Sequence, residues 1–129
     1  MNKLLALAAV AEAATGLALL VVPSLVGRLL LGVELADVAV PVARVAGVAL
    51  CALGIACWPG KGSQRTALGA MTTYGLLVGL YLVYLGIRGE YAGPLLWPAA
   101  LAHLILTALF AGGLRNKQKQ PSPNDPASA

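Results

Sequence analysis

Long apolar runs at four places along this chain are the feature that most restricts its fold. The runs cover residues 4–22, 38–58, 66–87 and 95–114. Each is about 20 residues long, and at about 1.5 Å per residue such a helix matches a hydrocarbon core about 30 Å thick. Hydrophobic residues make up 59% of the sequence and charged residues 11%, whereas an average soluble domain has about 25% charged residues. We therefore predict an all-α fold, a bundle of four transmembrane helices.

Turn-forming residues separate the runs. Pro23 ends the first run, and residues 24–32 (SLVGRLLLG) are too short to span a membrane but apolar apart from Arg28, which predicts a short helix lying in the interface. Segments at 59–63 and 88–94, rich in glycine and proline, predict the later turns. Because 115–129 is polar throughout, we predict an integral membrane domain at 1–114 and a disordered cytoplasmic tail after it.

Basic residues are distributed unevenly between the two sides that four spans define. The side that holds both termini and the middle loop carries Lys3, Lys61, Arg65, Arg115, Lys117 and Lys119. The other side carries Arg28 and Arg88. Cytoplasmic loops have the excess of Lys and Arg, so we predict both termini in the cytoplasm of a bacterial-type inner membrane. The net charge of +4 then reflects topology and attraction to anionic lipid headgroups, not nucleic-acid binding.

The start of the chain has a second interpretation. Lys3, an apolar stretch and the sequence Ala11-Glu12-Ala13 have the outline of a signal peptide with a cleavage site. Cleavage there would remove Glu12. The apolar run nevertheless continues unbroken to Val22, which favours a retained spanning helix.

Three ionisable residues interrupt the apolar runs: Glu12, Arg44 and His103. A charge at the middle of a bilayer costs at least about 2.5–3.5 kcal/mol, so such side chains usually face other helices and pair. Helical periodicity places small residues beside each of them, as is typical of helix interfaces in membranes. We predict a buried polar cluster in which Glu12 pairs with Arg44, and His103 or Tyr74 is a hydrogen-bonding neighbour. The cluster is either a structural clamp that fixes helix order, or a proton relay or a site for the polar head of a small apolar molecule.

Other residues indicate packing. Gly75 and Gly79 have the spacing of close helix contacts, within the bundle or between copies, and Gly47 lies on the helix face of Arg44. Cys51 and Cys57 lie on one helix, about 9 Å apart along it, so they cannot form a disulfide with each other. We find no nucleophile, carboxylate pair, phosphate-binding loop or zinc-ligand spacing. We therefore predict no catalytic residue, no metal site and no cofactor.

The first half of the chain carries motifs of a known group. They are Glu12 and Gly16 with E-x-x-x-G spacing, Val22-Pro23 followed by VGRLLLG at 26–32, and RVAGVALCALG at 44–54. In these motifs the chain resembles the DoxX-like small four-helix membrane proteins and their uncharacterised relatives. The resemblance implies a four-helix bundle and, for some members, association with quinone-linked redox or sulfur metabolism.

Together these features predict a non-enzymatic accessory or scaffold subunit of the membrane, working with a membrane protein partner or as a homo-oligomer. Two alternatives stay open: an oligomeric transporter or carrier of a small amphiphile, with Glu12, Arg44 and His103 around its path, and a subunit of a membrane redox system that contacts quinone through His103 and Tyr74.

Overall fold

The structure, a computed structural model, describes residues 1–60 and 62–118, and all the regular secondary structure in these residues is helical. The helices are α1 (Asn2–Val21), α2 (Pro23–Leu31), α3 (Ala39–Ala56), α4 (Gln64–Arg88) and α5 (Leu96–Gln118). Four of them, α1, α3, α4 and α5, are long and apolar enough to cross a membrane. The predicted helical class is confirmed, and the four long helices match the four predicted spans in length and apolar composition.

Local sequence explains where the helices begin and end. Pro23 lies in the first turn of α2, where its missing N–H costs nothing, and Gly32 ends that helix in the left-handed conformation (φ +74°). The Ser63 hydroxyl accepts a hydrogen bond from the backbone N–H of Thr66 at the start of α4, and Gly89 ends that helix with φ +72°. The short helix expected after the first span is therefore present, one residue earlier than predicted.

Helices α1 and α3 form one closely packed antiparallel pair. A Cβ atom built on Gly47 would lie 2.6 Å from the carbonyl oxygen of Gly16, and one on Gly54 would lie 2.6 Å from the carbonyl oxygen of Ala9. No real side chain tolerates such distances. Only glycine at these positions allows the two backbones to approach so closely.

Helices α4 and α5 form a second antiparallel pair. Gly75 lies against Thr107, whose Oγ1 would be 2.7 Å from an added Cβ atom, and Gly79 lies against Leu104 at 3.0 Å. The GxxxG face of α4 is therefore filled by α5 within one copy of the chain. It is not open for contact with a second copy.

The α1/α3 pair and the α4/α5 pair meet through side chains. Their shared apolar core is formed by Leu5, Ala8, Ala9, Cys57, Leu68, Met71 and Phe110. At one end of the molecule Met1 approaches Gly113, and Asn2 is hydrogen-bonded to Gln64. At the opposite end the segment before α5 joins α2, because the backbone N–H of Leu95 donates to the carbonyl of Leu29 at 2.9 Å. The chain start, the loop between α3 and α4 and the end of α5 thus lie at one end.

The outer surface of the four long helices is strongly apolar. Val38 and Ile87 are each 75% exposed, and many other large aliphatic side chains are exposed along the spans. Water-soluble proteins rarely leave contiguous apolar surface of this extent uncovered. This surface agrees with helices that face lipid.

The end of α5 differs from the prediction. The apolar run stops at Leu114, where the disordered tail was expected to begin, but α5 continues to Gln118. The extra residues extend an existing helix, which costs less than starting one, and Arg115 is a cation at a helix C-terminus, where it interacts favourably with the helix dipole. The rest of the predicted tail, residues 119–129, lies outside the described residues.

Candidate functional site

A polar cluster lies where the two helix pairs meet. It consists of Glu12 from α1, Tyr74 from α4 and His103 from α5, and we call these residues the Glu12 cluster. Glu12 is 9% exposed, and Tyr74 and His103 are half-buried. Three helices from both pairs therefore contribute one side chain each to a site among the long apolar helices.

Each carboxylate oxygen of Glu12 has its own neighbour. The Tyr74 hydroxyl donates a hydrogen bond to Glu12 Oε2 at 3.0 Å. On the other side, His103 Nε2 lies 3.6 Å from Glu12 Oε1. The rings of Tyr74 and His103 are 5.8 Å apart between centroids, so the two groups also contact each other beside the carboxylate.

The hydrogen bonding of His103 defines how the cluster holds protons. His103 Nδ1 lies 2.8 Å from the carbonyl oxygen of Ala99, one turn earlier on α5. A carbonyl can only accept, so we assign the proton to Nδ1, and Nε2 faces Glu12. At 3.6 Å, His103 Nε2 and Glu12 Oε1 are neighbours but are not hydrogen-bonded.

Space beside the cluster is very limited. A cavity of about 10 Å³ is lined by Glu12, Tyr74, Gly75 and His103 together with apolar side chains. This volume is near the lower limit for a single water molecule, about 10–15 Å³. Among the described residues, His103 Nε2 and Thr107 Oγ1 are buried without a hydrogen-bond partner. The site fits a proton or a water molecule, and it is too small for an organic substrate.

Arg44 lies outside the cluster, and its predicted pairing with Glu12 is wrong. Its side chain is exposed, and no hydrogen bond or ion pair reaches it from the part of the chain that the structure describes. The reason is register. Since Gly16 lies opposite Gly47, Arg44 lies level with the last turn of α1, at least about 10 Å along the helix axis from Glu12. Glu12 also faces α4 and α5, not α3.

The remaining predicted residues have packing positions. Gly47 contacts α1, and Gly75 and Gly79 contact α5, as described above. The two cysteines are free thiols: Cys51 Sγ lies 3.6 Å from the carbonyl oxygen of Ala13, and Cys57 Sγ lies 3.9 Å from that of Ala67. Burial raises the pKa of the Cys57 thiol, which makes the reactive thiolate scarcer.

Among residues 1–60 and 62–118, no three His, Cys, Asp or Glu side chains are grouped closely enough to hold a metal ion. The Glu12 cluster supplies one carboxylate and one imidazole, and the imidazole nitrogen that would bind a metal is the one that faces Glu12.

Two features of the site were not anticipated from the sequence. One is the unpartnered hydroxyl of Thr107, whose signal is its position four residues after His103 on the same helix face. The other is that no residue of α3 lines the site, although Arg44 was expected there. Periodicity within α1 and α3 could not reveal that, because it depends on how the two helices are aligned along their axes.

Comparison with known proteins gives no relative: no family model, curated protein or solved structure matches this chain. Its function is therefore inferred from its own residues.

Proposed function

We propose that this chain is a DoxX-like four-helix bundle of a bacterial-type inner membrane, with α2 in the outer interface and both termini in the cytoplasm. The distribution of basic residues supports this orientation. Lys3, Arg65 and Arg115 belong to the end of the molecule that carries the chain start and the end of α5. At the opposite end Arg28 is paired with Glu34 at 2.9 Å, and Arg88 is paired with Glu90 at 3.3 Å.

Its proposed role is that of a non-enzymatic accessory or scaffold subunit. The observation that carries this proposal is the closed Glu12 cluster. It joins one side chain from α1 to side chains from α4 and α5, and the cavity of about 10 Å³ beside it has no room for an organic substrate. The polar residues of the membrane interior thus support the assembly of the two helix pairs, while the apolar outer surface is free to meet lipid or another membrane protein.

Native mass spectrometry of the gently extracted full chain tests this role. An accessory subunit is expected to copurify with one membrane protein at fixed stoichiometry. Glu12→Gln, which weakens the joint between the helix pairs, is expected to reduce recovery of that complex, whereas Glu34→Gln, an exposed carboxylate on the connection after α2, is expected to leave it unchanged. A chain recovered only by itself, with normal folding, contradicts the proposal.

A second candidate is an oligomeric carrier that couples a small amphiphile to protons. The observation that favours it is the placement of two ionisable groups, Glu12 and His103, 3.6 Å apart at the junction of the two helix pairs. In proteoliposomes with an internal pH-sensitive dye, such a carrier would move protons when the amphiphile is supplied, and folded Glu12→Gln protein would not. A Glu34→Gln protein serves as the matched control.

Quinone contact through His103 and Tyr74 is not part of the proposal. A quinone ring needs a cavity many times larger than the one beside these residues.

A further inference from the structure

Arg44 is a charged side chain that the Glu12 cluster does not use. It lies five residues after Ala39, the first residue of α3, and thus about 8 Å into the helix. Its side chain is exposed and unpaired among the described residues. An arginine on a lipid-facing surface extends its guanidinium toward the headgroups and needs a negative partner there. Glu34 does not supply that partner, because it is already paired with Arg28. Asp37, seven residues before Arg44, makes no ion pair with it either.

An apolar groove lies along the α1/α3 pair, on the side that faces away from α4 and α5. Its walls are Val10 and Leu17 on α1, Ile55 on α3 and Trp58 just after α3, and alanines with Gly54 form its floor. The groove has a volume of about 440 Å³. The groove forms because small residues on both helices allow the backbones to pack closely, while the larger side chains at its edges project outward on either side.

Arg44 lies on the same helix stripe as the groove. Arg44 and Ile55 are three helical turns apart, so at about 100° per residue they point within about 20° of each other. Val48 lies between them on this stripe and is 58% exposed. Across the groove on α1, the exposed side chains of Leu17 and Val21 continue toward the level of Arg44. Because Gly16 lies opposite Gly47 and Ala9 opposite Gly54, Ala14 is level with position 49 of α3, about 8 Å along the axis from Arg44.

We propose that this face binds one phospholipid, with its phosphate against the Arg44 guanidinium and one acyl chain in the outer part of the groove, beside Leu17 and Ala14. The positive charge of Arg44 favours a phosphate-containing ligand, because a planar guanidinium can form a bidentate contact with two phosphate oxygens. Length agrees as well: the level of Ala14 is about 15 Å below the start of α3, and one leaflet also contributes about 15 Å, half of a hydrocarbon core about 30 Å thick. Within the spanning part of this face no carboxylate is available to Arg44, since Glu12 points to the opposite side of α1.

Titration of the full chain in mild detergent with palmitoyl-oleoyl phosphatidylglycerol, followed by native mass spectrometry, tests the site. The wild type is expected to retain one lipid per chain. Arg44→Gln is expected to weaken retention about tenfold, the loss expected for one charge-assisted contact. Ala14→Phe, which fills the groove from an exposed position, is expected to weaken it by a similar factor. The matched controls are Arg28→Gln, an exposed arginine on α2, and Ala102→Phe, an exposed alanine on α5; both are expected to bind as the wild type does.

Other outcomes overturn the inference. If Arg44→Gln converts a dimer to a monomer while the number of bound lipids stays the same, a second copy occupies this face. If Ala14→Phe leaves lipid retention unchanged, the groove does not hold an acyl chain. Retention that falls equally with Arg28→Gln would mean that general surface charge, and not Arg44, attracts the lipid. Neither the accessory role nor the carrier role enters this test.

Discussion

At the scale of single residues, the carboxylate of Glu12 is the group on which the interior depends. Its two oxygens meet a hydroxyl donor from α4 and an imidazole from α5, and the carboxylate is nearly inaccessible. Burying an ionisable group without partners costs several kcal/mol, whereas partners with hydrogen-bonding geometry offset much of that cost. Removal of the Tyr74 hydroxyl or of the His103 imidazole should therefore lower the free energy of unfolding by more than the loss of an ordinary surface contact would.

Tyr74→Phe tests the hydroxyl partner. The change removes one hydrogen-bond donor and keeps the ring, so we expect the free energy of unfolding to fall by about 1.5–3 kcal/mol, the range for a hydrogen bond to a charged group. Tyr81→Phe is the control, because Tyr81 is on the same helix and 60% exposed; it should change stability by less than about 0.5 kcal/mol. Thermal unfolding in detergent measures both. Equal losses would mean that the Tyr74 hydroxyl contributes nothing to Glu12.

A pair of double-mutant cycles tests which residue pairs with Glu12. Glu12→Gln combined with His103→Gln should show a coupling energy of about 0.5–3 kcal/mol, because the side chains are in contact. Glu12→Gln combined with Arg44→Gln should be additive to within about 0.5 kcal/mol, because the two residues lie in different parts of the molecule. If Glu12 coupled with Arg44 and was additive with His103, Glu12 would pair with Arg44, contrary to the structure.

At the scale of helices, glycine determines how closely each pair packs. Gly16, Gly47 and Gly54 bring the backbones of α1 and α3 together, and Gly75 and Gly79 do the same for α4 and α5. Between membrane helices the hydrophobic effect is absent, so this close packing supplies much of the attraction. Each helix pair is thus a unit whose spacing is set by a few positions.

Gly47→Ala tests this spacing. The new methyl group would lie 2.6 Å from the Gly16 carbonyl oxygen, and the backbone cannot easily move away, so we expect a loss of about 1–3 kcal/mol in thermal stability, as for an overpacked core. Gly69→Ala is the matched control in α4, where an added Cβ has open space. It should leave stability unchanged or raise it by up to about 1 kcal/mol, the helix propensity difference. If Gly47→Ala and Gly69→Ala lowered stability by similar amounts, close helix contact at Gly47 would not be the cause of its effect.

Much of the helical structure could be predicted from the sequence, because a membrane span is defined by the length of an apolar run. The start of α3, for example, follows directly from residues 38–58. The exact partner of Glu12 could not be predicted, because periodicity tells which face a residue occupies but not which helix lies opposite or at what level. Tyr74 and His103 were expected as neighbours of Glu12 in a cluster of inward-facing polar side chains, and the structure places both of them there. The same reasoning was wrong for Arg44, which lies near the start of α3 with an exposed side chain.

At the scale of the whole molecule, two antiparallel pairs share an apolar core and one polar cluster. Contacts at both ends hold the pairs in one arrangement: Asn2 with Gln64 at one end, and the carbonyl of Leu30 with the N–H of Gly93 at 3.0 Å at the other. The ends of the molecule differ in their basic residues, so the arrangement also predicts its orientation in the membrane.

Reporter fusions test that orientation. Because positive residues are retained on the cytoplasmic side, fusions to either terminus should be active in the cytoplasm, and a tag inserted in residues 88–94 should be accessible from outside intact cells. If a C-terminal fusion were active outside the cytoplasm, the predicted topology would be wrong: either the whole orientation is inverted or the first helix is cleaved after Ala13.

The separation of Glu12 from its partners in the sequence has a consequence for biogenesis. Translation delivers α1 and α3 to the membrane well before α4 and α5, and the α1/α3 pair already has all the glycine contacts that it needs. During that interval the carboxyl group of Glu12 has neither the tyrosine nor the histidine that it meets in the finished protein. A nascent chain halted after α3 should therefore stay associated with the insertion machinery, and its release into free lipid should await the emergence of His103 from the ribosome.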